Sequence, residues 1–159
     1  MTQSYEVKAG FDRIEAMTIA GVSVVTDNQR GAEDINALWE RFFKEQIGQK
    51  LQDHKDNDLI YAVYSDYEGD HTKPYRLTIG YKLKSTDLAL DNLHTVTTEA
   101  DDYAMLSAAG EQPKALIDTW TMIWQSDLDR RFQTDLEIYG PRFFEDQVNE
   151  VLIAIGVNA

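Results

Sequence analysis

The chain has 159 residues, 43% hydrophobic and 27% charged, with three histidines and no cysteine. This is the composition of an ordinary globular domain long enough for a core, and it excludes disulfide frameworks, thiol nucleophiles and thiolate metal sites. A formal charge of −13 argues against nucleic acid as a direct partner, because phosphate binding needs a basic footprint, and favours cations at long range.

The opening MTQSYEVKAG lacks the basic start and apolar run of a signal peptide. No apolar run approaches a membrane span, so a cytoplasmic protein is expected. The first strand is IEAMTIAGVSVVT, residues 14–26, with a bend expected near Gly21. In EDINALWERFFKEQIGQ, Ile35, Leu38, Trp39, Phe42, Phe43 and Ile47 form one stripe. That spacing predicts a helix over 34–49 with Asp34 as its N-cap. Strands follow over 59–67 and 75–83, joined by the turn-rich EGDHTKP. After the short connection 84–92, residues 93–110 read as a hairpin turning at 99–102. Leu116, Ile117, Trp120, Ile123, Trp124 and Leu128 then predict a second helix over 113–128, with Pro113 in its first turn. TDLEIYG, 134–140, and NEVLIAIGV, 149–157, close the chain as strands.

The order reads as one βαββ unit used twice, in halves of about 1–85 and 86–159, each helix with a central tryptophan. The expected fold is α+β and a single domain. Two pseudo-symmetric halves form a curved antiparallel sheet, with helices on one face and a central ligand cleft on the other. Strand alternation puts Leu136 and Ile138 on one side of TDLEIYG, and Asp135, Glu137 and Tyr139 on the other. Leu136 and Ile138 are expected to face the helices, leaving Glu137 and Tyr139 in the cleft. The plain alternative is a solvent-facing surface glutamate. Matching EIY at 137–139 to AVY at 62–64 places Ala62 and Tyr64 with Glu137. Ala62 leaves room, and Tyr64 and Tyr139 flank the cleft. Trp39 and Trp120 have two open readings, as helix-core packing or as indoles reaching the cleft end.

LWERFF, IYAVYSDYEGD, YRLTIG, DDYAMLSAAG, DTWTMIW and TDLEIYG, in that order and spacing, resemble the gyrase-inhibitor-like small-molecule-binding fold. That fold also serves as the effector-binding domain of transcription activators. The resemblance covers essentially the whole chain and is closest in look to stand-alone members carried on integron gene cassettes. It implies a glutamate, in the strand after the second helix, that binds the positive charge of amphipathic cations. The family pattern of Asp, aromatic, Glu, any residue, Tyr reads here as Asp135, Leu136, Glu137, Ile138 and Tyr139, with leucine in place of the aromatic. On physical grounds a desolvated carboxylate among rings suits a delocalised organic cation, which offsets the charge while stacking.

Asp66, Glu68 and Asp70 faintly echo a calcium loop, but His71 stands where that loop needs glycine. His54, His71 and His94 form no ligand pair by spacing. No metal, cofactor or DNA-binding module is expected. The leading function is a stand-alone receptor for cationic hydrophobic molecules, acting in sequestration or sensing linked to transcription regulation, as a homodimer or with a separate regulator. The alternatives are a hydrolase using Glu137 as general acid/base and an inhibitor that binds a topoisomerase through its acidic surface.

Overall fold

In a computed structural model, residues 10–69, 72–84, 93–111, 114–125, 130–140 and 150–157 are described. Pro113, Asp70, His71, residues 126–128 and most of the connection 84–92 lie outside them. The first half holds β1 Gly10–Ile14, β2 Met17–Thr26, α1 Gly31–Lys44, α2 Ile47–Lys50, β3 Lys55–Ser65 and β4 Tyr75–Leu83. The second half holds β5 His94–Thr98, β6 Asp101–Ala109, α3 Lys114–Gln125, β7 Arg130–Tyr139 and β8 Glu150–Val157. All eight strands join one sheet in the order β1-β6-β8-β7-β3-β4-β2-β5. Every pairing is antiparallel; the two halves meet centrally where β3 pairs with β7, and each lends an edge strand to the other, β1 to β6 and β5 to β2. The α+β class and the repeated halves are as the sequence pattern predicts.

The connections force this sheet to curl. Only Glu15 and Ala16 link β1 to β2, yet these strands lie six places apart in the sheet. A flat sheet would separate them by about 29 Å, and so short a link reaches about 10 Å. Glu99 and Ala100 make the matching link from β5 to β6. The hairpin expected at 99–102 is therefore not formed: β5 pairs with β2 and β6 with β1 and β8. The two links carry the same Glu-Ala pair and neither supplies the Asn-Gly or Gly chemistry of a tight hairpin.

The curl buries both faces. On the concave side Met17, Ile19, Tyr61, Val63, Tyr103, Leu136 and Ala154 form one cluster, with Ile138 packed against it. Residues from the sheet's ends thus meet residues from its middle. The convex side carries the helices. Leu38 and Phe42 of α1 and Trp120 and Ile123 of α3 share its cluster with Ala62, Tyr64 and Tyr139. Each fully buried side chain of this kind contributes about 1.5–3 kcal/mol.

Two expectations are corrected by this arrangement. Leu136 and Ile138 do not face the helices but the inside of the curl. Glu137 and Tyr139 lie on the helix-bearing face, so no cleft opposite the helices holds them. Alternation fixes which residues share a face, but not which face a helix covers. Because curling buries the aliphatic face without a helix, the mixed aromatic and carboxylate face is left for α1 and α3.

The first helix also differs in detail. Asp27 Oδ1 accepts from the backbone N–H of Gln29 and Arg30 at 3.0 and 2.9 Å, and the helix starts at Gly31. Asp34 is in its first turn, not at the cap, and its Oδ2 accepts from the Thr26 hydroxyl at 2.6 Å. The expected single helix 34–49 breaks at Gln46, whose φ of 52° is left-handed. That turn lets Ile47 and Leu51 both reach full burial.

Candidate functional site

Glu137 stands at the seam of the two halves, where Ala62 pairs with it across the β3–β7 ladder. Helix α1 packs on β2 and β4, and α3 packs on β6. The central strands are therefore roofed by side chains arriving from either side rather than by a helix backbone. Trp120 comes from α3 and Trp39 from α1, while Tyr64 and Tyr139 rise from the strands themselves.

The carboxylate is 2% exposed. Its Oε2 accepts from the Tyr64 hydroxyl at 2.8 Å and from Trp120 Nε1 at 2.6 Å. Its Oε1 accepts from the Tyr139 hydroxyl at 2.7 Å. All three donors are neutral, and Glu137 makes no ion pair among the described residues. Burial pushes its pKa above the ordinary carboxylate value, while the hydrogen bonds from Tyr139, Tyr64 and Trp120 pull it back. The donors are held protonated in turn. Burial, then the Glu137 charge, pushes the Tyr64 and Tyr139 hydroxyls well above the usual phenol value.

The six residues singled out from the sequence are thus brought together. Glu137, Tyr139, Tyr64 and Trp120 are joined by hydrogen bonds, and Ala62 is fully buried beside the carboxylate. Trp39 packs edge-on against Tyr139, with ring centres 5.0 Å apart. Of the two readings of the tryptophans, Trp120 both packs the core and reaches the carboxylate. Trp39 touches the site through Tyr139 alone. The expected solvent-facing alternative for Glu137 does not hold.

Two features escaped the sequence reading. Tyr75 places its ring 5.4 Å from Tyr64, and burial followed by the Glu137 charge pushes its hydroxyl up to about 12. Asp135, two residues before Glu137 on the same face, is fully buried. It pairs with Arg130 Nη2 at 2.9 Å and accepts from Gly156 N–H at 2.9 Å and from the Tyr67 hydroxyl. Alternation signalled Asp135, but only strand register shows which partners reach these residues. Among the described residues no group of three or more His, Asp or Glu side chains is placed to hold a metal ion. Nor is any helix there long and apolar enough to cross a membrane.

The structure is thus a curled antiparallel sheet of two like halves with a buried, aromatic-lined carboxylate at their central seam. The chain belongs to the integron-associated effector binding protein family, which it matches over residues 12–155. It is similar to YobU of Bacillus subtilis (strain 168), provisionally named a transcriptional regulator protein. The two are 26% identical over 157 residues, covering 93% of this chain and 98% of that one. Two solved structures share the fold. An integron cassette protein from the mobile metagenome of Vibrio cholerae has a TM-score of 0.74 at 22% identity, covering 98% of this chain and 100% of that one. SAV2435, solved bound to tetraphenylphosphonium, has a TM-score of 0.74 at 18% identity, covering 96% of this chain and 94% of that one.

Proposed function

We propose that this chain is a cytoplasmic receptor for hydrophobic organic cations, with Glu137 as the charge anchor and Tyr64, Tyr139, Trp39, Trp120 and Ala62 shaping the site. One observation carries the reading: Glu137 is a fully buried carboxylate surrounded by neutral donors, whereas Asp135 beside it has Arg130. A buried charge without a counter-charge lowers stability, and a delocalised cation supplies what is missing. The attraction is on the order of 4 kcal/mol at 4 Å and an effective dielectric of 20, and each cation–π contact adds about 0.5–2 kcal/mol. The cation bound to SAV2435, which shares this fold, supports the same ligand class. The name of YobU supports a link to transcription regulation, by sequestration or by sensing, with a second copy or a separate regulator as partner.

The test compares N-methylacridinium with its neutral isostere 9-methylanthracene by calorimetry. The cation is expected to bind at least tenfold more tightly, and Glu137→Gln to abolish most of that difference. Equal affinities for the two compounds would sink the reading.

The raised pKa of Glu137 favours a second reading, a hydrolase with this glutamate as general acid/base. Its neighbours argue against that. The groups hydrogen-bonded to it are two tyrosines held protonated and a tryptophan, and none of them serves as a base near neutral pH. Multiple-turnover hydrolysis of a reactive ester, lost in Glu137→Gln, is the outcome that would establish the enzyme instead.

A further inference from the structure

The repeat makes Trp39 of α1 and Trp120 of α3 counterparts, but they are held very differently. Trp120 donates its indole N–H to the Glu137 carboxylate at 2.6 Å and is buried. The strand position matching Glu137 in the first half is Ala62, which offers no acceptor. Trp39 makes no hydrogen bond among the described residues and is only half-buried. Ring contacts hold it: edge-on to Tyr139 at 5.0 Å, edge-on to Phe42 at 5.8 Å, and stacked on Phe43 at 5.9 Å and 24°. Phe43 itself is 57% exposed. From solvent inward the order is therefore Phe43, Trp39, Tyr139, Glu137. Among the described residues Tyr139 is also the one donor to Oε1, whereas Oε2 has two. Oε1 thus keeps the larger spare accepting capacity, and its donor is the tyrosine whose ring Trp39 touches.

We propose that Trp39 is a removable plug: its indole occupies, in the free protein, the place that the flat ring of a ligand takes between Tyr139 and Phe43. A hydrogen bond to a buried charge is stronger than a neutral ring contact. The side chain that yields is therefore Trp39, and Trp120 stays. A flat cation in the vacated place stacks on Phe43, packs against Tyr139 and lies beside Oε1. Phe43 and Trp39 thereby select planar ligands and set the side of entry. This inference rests on the receptor reading, but its decisive test does not require a cation.

The first variant is Trp39→Ala. It is expected to bind N-methylacridinium at least fivefold more tightly than the unaltered protein, since no indole need be displaced. Free indole is expected to raise the melting temperature of Trp39→Ala and to leave that of the unaltered protein unchanged. Equal or weaker cation binding by Trp39→Ala would make the indole a fixed wall and overturn the plug. If neither protein binds the cation, the receptor reading fails, and indole alone decides: stabilised Trp39→Ala retains the plug, and no stabilisation ends it. Should Trp39→Ala not fold, the unaltered protein labelled with 5-fluorotryptophan gives the answer. On adding N-methylacridinium or, failing binding, 9-methylanthracene, the Trp39 fluorine signal must gain the solvent isotope shift of an exposed ring while that of Trp120 does not. An unchanged Trp39 signal overturns the proposal.

Discussion

Asp135 and Glu137 stand two residues apart on one face of β7, both fully buried, and differ in what surrounds them. Asp135 has a guanidinium, and removing its charge leaves Arg130, 5% exposed, without its carboxylate. Asp135→Asn is therefore expected to destabilise by about 3–5 kcal/mol. Glu137→Gln should do the reverse. The amide oxygen still accepts from Trp120 and Tyr64, the amide nitrogen donates to Tyr139, and a buried charge is gone. Its melting temperature is expected to be unchanged or raised, at about 2–4 °C per kcal/mol for a chain of this size. The sign with pH follows from the raised Glu137 pKa. The folded protein holds that proton more tightly than the unfolded chain, so Glu137 does not lower stability below the ordinary glutamate value of about 4.3. Its penalty grows as pH rises through the folded value. Melting curves from pH 4 upward should thus show the gap between the unaltered protein and Glu137→Gln opening with pH. Cation affinity should rise over the same window, about tenfold per pH unit, and then level off. A gap that closes with pH would contradict the assignment. Sequence alternation was enough to align Asp135, Glu137 and Tyr139 on one face. It did not distinguish the two acids, because Arg130 is separated by five residues and reaches Asp135 only across an irregular stretch of the β7–β8 pairing.

At the scale of elements, most strands and both long helices were legible because hydrophobic periodicity is a local signal. The run LIYAVY shows why faces were not: it is apolar on both alternations, and β3 is buried on both sides. The misread hairpin has the same origin. Two strands separated by two residues normally pair with each other, and only the curl of the whole sheet sends β5 and β6 to different partners. Gly21 and Gly80 sit opposite one another within that curl. A Cβ on Gly80 would lie 1.9 Å from the Ala20 carbonyl oxygen, and one on Gly21 would lie 1.9 Å from that of Ile79. Side chains there would push backbones apart in a sheet bonded on both sides. Gly80→Ala is expected to lower stability by at least about 3 kcal/mol in urea unfolding. Gly31, first in α1, is the contrasting case. Its added Cβ would meet Ile35 and Tyr75 at an ordinary 3.6 Å, so Gly31→Ala should stabilise by about 0.5–1 kcal/mol. If Gly80→Ala were as stable as Gly31→Ala, the close strand approach would be wrong.

The molecule as a whole carries a charge of −13, and this field acts on a cation before any contact does. Long-range attraction raises the association rate and is screened by salt, with a Debye length of about 10 Å at 0.1 M and about 3 Å at 1 M. The proposed anchor should act differently. Glu137 is buried among rings and screened little by ions in solution; in the proposed receptor it meets the ligand only after entry and is expected to govern how long the ligand stays. Rate and residence should therefore separate. In stopped-flow measurements with N-methylacridinium, raising salt from about 0.02 to 0.5 M is expected to slow association several-fold and to leave dissociation within about twofold. Glu137→Gln removes one charge of the excess, so its association should retain nearly the same salt dependence. Its loss of affinity, at least about tenfold or 1.4 kcal/mol, should appear in faster dissociation. The opposite pattern would place the specificity in the surface field: salt-dependent dissociation in the unaltered protein, or an association rate in Glu137→Gln that no longer responds to salt. The acidic surface would then be the receptor, and the buried glutamate would be only an expensive piece of the core.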